Sequence, residues 1–387
     1  MIRNISIGID IGSSTIKVVV AEFLKGEKYP KIIGVGESET EGMRHGYVTE
    51  ENALVLSIKK SIAQAEKTSN IKIRRAYVSI NTVTLKGDTE IGVAIVSKAD
   101  GEVTMLDINK ALEECEEKLN HINRKILQTI PVAYKLDGKE IFGSPLGYKG
   151  TKLEIKGLVI NCSTIHIENL IEALAEAGID PINIIPSTLA GGILALSQKQ
   201  KIVGCALVNI GAETVSVSIF ENNDIASLQT FSIGSNNITN DIALGLRIPL
   251  EEAEQIKIGN THEYYSKKKI DEIIHARMSD IFELIENHFK KMKRSELLPA
   301  GIIFIGGGAN IANISDLSKN FLMLPSRVGS TDIFNNTKTK LRDPSWITVL
   351  GLVNYSKNIE KYAEGSLPNI INNIKQSLRT FTKQLMP

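Results

Sequence analysis

The sequence predicts an α/β fold built from two similar halves, and three observations support this. One β-hairpin pattern occurs twice, as Ile-Asp-Ile-Gly-Ser-Ser-Thr at residues 9–15 and as Val-Asn-Ile-Gly-Ala-Glu-Thr at 208–214. An apolar strand at 301–308 ends in three successive glycines. Segments with the apolar spacing of amphipathic helices separate these strands. Internal repetition of this kind indicates a duplicated, pseudo-symmetric molecule.

The elements of each half follow from the spacing of their apolar residues. Alternating β-branched residues at 5–20 predict two strands with a turn at 12–14. Leu54, Ile58 and Ile62 recur at helical spacing and predict a helix over about 53–67. By the same criteria we expect a strand at 77–80, helices at 164–178 and 187–197, a second hairpin at 205–220, and a last helix of the folded body at about 346–358.

Two segments interrupt the repeat. Residues 84–163 contain strand-like pieces around a helix at about 107–120 that is rich in Glu and Lys, which predicts a small inserted α+β subdomain. Residues 240–299 are largely helical and charged. The predicted division is 1–83, 164–197 and about 346–360 for the first lobe, 84–163 for the insertion, 198–239 and 300–345 for the second lobe, 240–299 for the helical subdomain, and 361–387 for a linker and a terminal helix.

Composition excludes several classes of protein. The 387 residues carry 45 Lys and Arg against 44 Asp and Glu, and a net charge of +1 argues against general nucleic-acid binding. Cys115, Cys162 and Cys205 are too scattered for a disulfide framework or a zinc site, which favours a reducing compartment. No apolar run is long enough to span a membrane as a helix, and the N-terminus does not have the pattern of a signal peptide.

The two hairpin turns predict a phosphate-binding site. Small turn residues let successive backbone N–H groups approach phosphate oxygens, and the hydroxyls of the turns add donors. Asp10 ends its strand, where a carboxylate can hold Mg²⁺ through water. A single hairpin of this type is more often only a tight turn. Two such hairpins together with the triple glycine at 306–308 instead favour one site that clamps a triphosphate from both sides.

These three elements resemble the actin-like ATPase superfamily, which includes actin, Hsp70 and sugar kinases. Four further stretches resemble the FtsA family of bacterial cell-division proteins: EGMRHGYV at 41–48, SPLGYKG at 144–150, AEQIK at 253–257, and Ala276-Arg277. The resemblance covers about residues 5–355. It implies an actin-like ATPase fold with two duplicated ribonuclease-H-like lobes, the inserted subdomain of that family at 84–163, and a C-terminal amphipathic helix.

The resemblance also implies an ATP site with Mg²⁺. One phosphate loop comes from the first hairpin and the second from the other hairpin, while Glu254 and Lys257 flank the adenosine and the glycine cluster holds it. The candidate nucleotide-binding residues are Asp10, Gly12, Ser13, Ser14, Thr15, Lys17, Asn209, Gly211, Ala212, Glu213, Thr214, Gly234, Glu254, Lys257, Gly306, Gly307, Gly308 and Ala309. Taken alone, Glu254 and Lys257 are more simply explained as a solvated helix pair.

Several positions depart from the family pattern. Asn209 stands where the second loop usually begins with Asp, Ala212 replaces a glycine, and Glu213 adds negative charge that we expect near the phosphates. Gly234-Ser235 replaces the usual Gly-Gly. Ser187 and Thr188 are the only polar residues at 185–190, where actin-like hydrolases orient the attacking water. We therefore expect slow hydrolysis or none, with ATP acting mainly as a conformational ligand.

The C-terminal segment has the pattern of a helix lying in a membrane interface. At 100° per residue its apolar side chains fall within an arc of roughly 100°. Basic residues follow one edge of that stripe, and no acidic residue occurs after Glu364. This indicates reversible binding to an anionic lipid surface, although a helix docked on the core of the protein is the alternative. The candidate membrane-binding residues are Leu367, Ile370, Ile371, Ile374, Lys375, Leu378, Arg379, Phe381, Lys383 and Leu385.

Partners are implied by the resemblance. In the FtsA family the helical lobe receives the C-terminal peptide of FtsZ, the tubulin-like ring protein, and Arg277 is the candidate contact here; a plain solvated Arg is the competing interpretation. The inner face of that helix is expected at Ile273, Ile274, Ile281, Leu284, Ile285 and Phe289.

The implied function is to polymerise head to tail, to tether the FtsZ ring to the cytoplasmic face of the cell membrane at midcell, and to recruit later division membrane proteins. The alternatives are an actin-like scaffold of pilus assembly and a phosphotransferase of the sugar-kinase type.

Overall fold

The computed structural model describes residues 4–27, 29–119, 122–260, 264–331 and 339–363, so the predicted terminal helix at 366–387 lies outside the described residues. The described part of the chain divides into two compact units. The first lies within Met1–Gly87 and Cys162–Asn354, and the second contains Asp88–Asn161.

The first unit begins with a three-stranded antiparallel meander and a small hairpin. Near-continuous apolar runs form its first two strands because both faces of this sheet are covered, as in other α/β proteins. The elements are β1 (Asn4–Ile11), β2 (Thr15–Phe23), β3 (Lys31–Glu39), β4 (Met43–Arg44), β5 (Tyr47–Val48), α1 (Glu51–Ser69) and β6 (Arg75–Ile80). Helix α1 buries Leu54, Ile58 and Ile62, the residues that predicted it, and extends two residues beyond each predicted end.

The second unit contains a sheet, in which β8 and β9 are antiparallel, and one helix. Its elements, two of which continue into the first unit, are β7 (Lys86–Ile95), α2 (Met105–Lys118), β8 (Arg124–Leu136), β9 (Lys139–Ile141) and β10 (Lys152–Ser163), with the sheet order β7-β10-β8-β9. The helix begins two residues before the predicted start because Asp107 forms a capping box with Thr104. Burial alone would raise the pKa of Asp107, but hydrogen bonds from Thr104 and Ser97 outweigh it and lower this pKa to about 2.

The chain then returns to the first unit. It adds a strand to the first sheet, forms a second sheet, and passes through three helices before its last strands. The elements are α3 (Thr164–Glu176), β11 (Asp180–Pro186), α4 (Ser187–Ala195), α5 (Gln198–Val203), β12 (Cys205–Ile210), β13 (Val215–Glu221), β14 (Asp224–Phe231), α6 (Ser235–Leu246), α7 (Leu250–Lys257), α8 (Lys267–Lys291), β15 (Ile302–Ile305), α9 (Ile314–Leu322), β16 (Ser326–Val328) and α10 (Ile347–Ala363). Short 3₁₀ helices occupy Gly307–Asn310, Thr339–Arg342 and Pro344–Trp346.

The two sheets of the first unit share one topology. In the order β3-β2-β1-β6-β11 the first three strands are antiparallel, while β6 is parallel to β1 and β11 is parallel to β6. The series β14-β13-β12-β15-β16 repeats this pattern strand for strand. The predicted α/β fold with two duplicated ribonuclease-H-like lobes is therefore confirmed.

The buried face of α8 is rotated relative to the face that the sequence predicted. Ile281, Ile285 and Phe289 are buried as expected, but Met278 and Phe282 are buried too. In contrast Ile273, Ile274 and Leu284 are only partly buried. Phe282 lies on the side toward which this face is rotated, where it packs against Phe304 of β15 and Phe321 of α9.

All three cysteines are buried and no disulfide joins them. Burial raises the pKa of the Cys205 thiol to about 11, which makes it unreactive near neutral pH. In the part of the chain that the structure describes, no helix is long and apolar enough to cross a membrane.

Candidate nucleotide-binding site

A polar cavity of about 550 Å³ opens where the two hairpin turns of the first unit approach each other. It is lined by both turns, by residues of α6 and α7, and by the glycine cluster after β15. The structure brings together fifteen of the eighteen candidate nucleotide-binding residues around it: Asp10, Gly12, Ser13, Ser14, Thr15, Lys17, Asn209, Gly211, Ala212, Thr214, Glu254, Lys257, Gly306, Gly307 and Gly308.

The two turns have the same geometry. The Gly12 N–H donates to the Thr15 carbonyl at 3.1 Å, and the Gly211 N–H donates to the Thr214 carbonyl at 2.8 Å. Ser13 and Ser14 of the first turn and Ala212 of the second line the cavity, and successive N–H groups in turns of this kind can bind anions. Asp10 and Asn209 occupy matching positions, opposite Lys17 and Ser216 respectively. At these matched positions the first hairpin therefore carries a carboxylate and a cation, while the second carries an amide and a hydroxyl.

Asp10 is the carboxylate best placed to receive Mg²⁺ through water. Burial raises the pKa of Asp10 above its usual value. A hydrogen bond from the Ser79 hydroxyl at 2.5 Å and the charge of Lys17 act in the opposite direction but do not cancel this rise. Across the cavity the Asn209 amide donates to the Ser187 hydroxyl at 3.1 Å. Among the described residues no group of three or more His, Cys, Asp or Glu side chains could hold a metal directly. The donor set thus suits a hydrated cation held on phosphates.

Lys17 is held in place for an anionic ligand. Its ammonium donates to the Thr15 hydroxyl at 2.7 Å, lies 3.9 Å from the Glu37 carboxylate, and sits 5.6 Å from the centre of the Trp346 ring. Lys340 contacts the same carboxylate and the same ring. The Trp346 ring thus contacts two cations, of which Lys17 lines the cavity.

Glu254 and Lys257 form a partly buried ion pair and do not form the solvated helix pair that was the simpler interpretation. Their charged atoms are 2.6 Å apart, and only 8% of the Lys257 side chain is exposed. Lys257 also donates to the Thr239 hydroxyl at 2.9 Å and to the Ser235 carbonyl at 3.3 Å. These bonds tie α7 to the start of α6 and present both side chains to the cavity.

The glycine cluster lines one side of the cavity with backbone that carries no side chains. A Cβ at Gly307 would have no heavy atom within 4 Å, so this backbone faces open space. A Cβ at Gly306 would come within 2.3 Å of the Asn209 side-chain oxygen, and its φ of +87° favours glycine. A flat base or ribose can therefore lie directly against the backbone here.

Three candidate residues do not line the cavity. The Glu213 carboxylate accepts a hydrogen bond from the His45 N–H at 2.6 Å and is not part of the cavity lining. Gly234 packs against the backbone of the second loop, because a Cβ at Gly234 would lie 2.4 Å from the Ala212 carbonyl oxygen. Ala309 is 2% exposed and faces the core.

Several residues that line the cavity were not predicted from the sequence. All but Ile258 and Ile311 are polar, and they come from distant parts of the chain: Glu37, Asn81, Ser235, Asn236, Ile258, Asn310, Ile311, Asp343, Ser345 and Thr348. The signals available were Asn81 directly after β6 and the Asp-Pro-Ser helix start at 343–345, where Asp343 accepts from the Ser345 N–H at 2.8 Å.

The residues that line the cavity fit a nucleoside triphosphate. Two turns supply N–H groups and hydroxyls, Lys17 supplies a positive charge, and the backbone at Gly307 is open to a base or ribose. Bound Mg²⁺ would neutralise phosphate charge beside Asp10. Asn209 lacks the charge to share that role.

Comparison with known proteins identifies the family. The family profile described as "Cell division protein FtsA" matches residues 206–351, and the profile "SHS2 domain inserted in FTSA" matches residues 84–161. The cell division protein FtsA of Bacillus subtilis is 30% identical over 376 residues, which cover 92% of this chain and 84% of that protein. The chain belongs to the FtsA family. The Escherichia coli FtsA is 22% identical over 97% of this chain and 98% of its own length.

Solved structures agree with the actin-like fold of this FtsA-family chain. A structure entitled "PilM-PilN type IV pilus biogenesis complex" superposes with a TM-score of 0.70 at 17% identity, covering 90% of this chain and 97% of that one. MreB5 of Spiroplasma citri bound to ADP gives 0.54 at 14% identity, covering 94% and 99%. At these identities the likeness shows the fold alone. The SHS2 match at residues 84–161 lies within the inserted subdomain predicted at 84–163.

Arg277, the candidate partner contact, is engaged within the chain. Its guanidinium donates to both carboxylate oxygens of Asp241 at 2.6 and 3.0 Å and lies 3.1 Å from Asp280. Its side chain is 28% exposed. Arg277 therefore joins α8 to α6, and the plain solvated Arg of the competing interpretation does not describe it.

Proposed function

We propose that this FtsA-family protein binds ATP with Mg²⁺ in the cavity, forms head-to-tail filaments, and tethers FtsZ to the cytoplasmic face of the cell membrane at midcell. The observation that carries the nucleotide part is the pair of equivalent turns, closed by 3.1 and 2.8 Å hydrogen bonds, on opposite sides of one cavity. Family membership supports the division role.

The nucleotide acts as a conformational ligand. Each lobe contributes one phosphate loop, so a triphosphate that contacts both loops stabilises the arrangement in which they approach each other. A bound triphosphate thereby favours one arrangement of the lobes, and filament contacts that select the same arrangement favour nucleotide binding in return. MreB5, the structure of similar fold described above, was solved with ADP bound, which is consistent with a nucleotide in this fold.

The polar groups of the cavity are poorly arranged for hydrolysis. Asn209 donates its amide to Ser187, and Thr188 is hydrogen-bonded to Ser218 at 2.6 Å. Asp343 accepts from Asn310 at 2.9 Å and from its own helix start. Asn209, Ser187 and Thr188 are neutral groups already engaged in hydrogen bonds within the protein, so none of them is a general base for the attacking water, and we expect slow or absent ATP turnover.

The tail supplies the membrane contact in this proposal. Its stripe of apolar residues and its cations at Lys375, Arg379 and Lys383 suit an anionic lipid surface, where each cation contributes about 1 kcal/mol. A single helix of this size binds reversibly, and a filament that displays many such helices binds more tightly. The helical region of α6, α7 and α8 receives the FtsZ peptide, with Arg277 as an anchoring cation already oriented by Asp241, and membrane-bound filaments recruit later division proteins.

The nucleotide part is tested by equilibrium titration of ATP together with a turnover assay. We expect saturable, Mg²⁺-dependent binding of ATP, with phosphate release much slower than nucleotide exchange. Rapid turnover in the presence of a small hydroxyl-bearing acceptor would instead support the sugar-kinase alternative. The pilus-scaffold alternative predicts that deletion of 366–387 leaves membrane association unchanged.

A further inference from the structure

The small hairpin β4–β5 lies between the two phosphate loops and contacts both. Its tip consists of His45 and Gly46, whose φ values of +48° and +76° are those of a tight type I′ turn. The Gly46 N–H donates to the Ser13 hydroxyl of the first loop at 3.1 Å. The His45 N–H donates to the Glu213 carboxylate of the second loop at 2.6 Å. The His45 N–H thus joins the hairpin to the second lobe, while the neighbouring Gly46 N–H joins it to the phosphate loop of its own lobe.

Further contacts fix the same junction. The His45 ring nitrogen Nδ1 lies 3.3 Å from the Glu213 carbonyl and 3.2 Å from the Ser232 hydroxyl. Asn81, which follows β6, donates its amide to the Thr214 hydroxyl at 3.0 Å and accepts from the Ser216 hydroxyl. Each of these bonds joins an element of the first lobe to the second lobe. Their partners Thr214 and Ser216 are buried, so water competes little for the bonds.

The hairpin is rigidly placed. A Cβ at Gly46 would lie 1.8 Å from the Asn81 carbonyl, so only glycine allows the tip to come this close. The Val83 N–H donates to the His45 carbonyl at 3.2 Å, and the Thr49 N–H donates to the Gly42 carbonyl at 2.8 Å at the base of the hairpin. The tip therefore has one position relative to the first lobe, and Glu213 docks on it.

We propose that the tip of β4–β5 and Glu213 form a clasp that holds the two phosphate loops in register for a triphosphate. In this proposal, which rests on the proposed nucleotide site, Glu213 is a positioning residue. Its carboxylate satisfies the His45 N–H outside the cavity and thereby holds the backbone of the second loop. Ser13 accepts from Gly46 and keeps its own O–H to donate toward the cavity.

The clasp and simple electrostatics make opposite predictions for Glu213→Ala. If Glu213 acted only as a negative charge near the phosphates, its removal would strengthen ATP binding. If it is the acceptor for His45, its removal should weaken ATP binding roughly ten-fold, as expected for one lost hydrogen bond to a charged group. Glu213→Gln keeps an acceptor oxygen and should restore affinity to within about three-fold, because a neutral acceptor retains roughly half the energy of such a bond. Glu172→Ala removes an exposed acid of α3 and serves as the matched surface control.

The experiment combines ATP titration with amide hydrogen exchange of the segment 43–48 in full-length protein without nucleotide. We expect slow exchange in the wild type and Glu213→Gln, and faster exchange in Glu213→Ala with an unchanged melting temperature. Slow exchange in Glu213→Ala, or ATP binding as tight as in the wild type, would overturn the clasp. Failure of the wild type to bind ATP would reject the nucleotide proposal instead, and the exchange result would still decide whether Glu213 holds the hairpin.

Discussion

Gly307→Asp should abolish ATP binding while leaving the fold intact. The Cβ at this position meets no atom within 4 Å, so the new side chain extends into the cavity without disturbing the core. Its carboxylate would stand beside the nucleotide. At an effective dielectric constant of about 20 and a distance of about 6 Å, repulsion from a single phosphate charge costs roughly 3 kcal/mol. We therefore expect at least about a hundred-fold loss of affinity in equilibrium titration.

Gly307→Ala is the matched control because it adds only a methyl group in the same open space. We expect it to bind ATP within a few-fold of the wild type. Gly308 is unsuitable for this test, since a Cβ there would lie 2.2 Å from Ile210 Cγ2 and would disturb the packing. Unchanged affinity in a folded Gly307→Asp protein would mean that the nucleotide does not bind against this glycine cluster.

Leu378→Glu should release the protein from anionic liposomes. Leu378 lies in the middle of the apolar stripe of the predicted tail helix. The substitution removes a leucine whose burial in the lipid surface is expected to contribute about 1.5–3 kcal/mol to binding. It also adds a negative charge at a surface where a charge is worth about 1 kcal/mol. Together these losses predict a fall in lipid partitioning of roughly a hundred-fold or more, measured by co-sedimentation.

Gln376→Glu makes the same change in net charge on the opposite side of that helix. The added negative charge alone should reduce the lipid partitioning of Gln376→Glu by roughly five-fold, because one charge at the surface contributes about 1 kcal/mol. Equal release by both variants would show that charge dominates and that the stripe does not insert. Continued binding of Leu378→Glu would support the alternative in which the tail docks on the core of the protein.

The sequence predicted those parts of the site that are local in the chain. Each phosphate loop lies within one hairpin, so its glycines, hydroxyls and strand ends can be identified from a few consecutive residues. The duplication was also visible, because the repeat at 9–15 and 208–214 keeps the same spacing. The sheet topologies then place the two hairpins in equivalent positions.

The remaining lining residues depend on contacts that no local pattern reports. Glu37 reaches the cavity because β3 pairs with β2, and Thr348 reaches it because α10 follows a 3₁₀ turn at Trp346. The direction of the Glu213 side chain also depends on a contact that no local pattern reports. Its position in the loop predicted a side chain near the phosphates, whereas its direction is set by the His45 N–H, 168 residues earlier in the chain.

The measurement that tests the proposed tether most directly is the recruitment of a fluorescent FtsZ C-terminal peptide to anionic liposomes by the full-length protein. We predict that the peptide co-sediments with liposomes when the protein and ATP with Mg²⁺ are present. We predict that it stays in solution when residues 366–387 are deleted or when Gly307→Asp replaces the wild type. Equal recruitment by the tail-deleted protein, or no recruitment by the full-length protein with ATP, would contradict a nucleotide-dependent membrane tether.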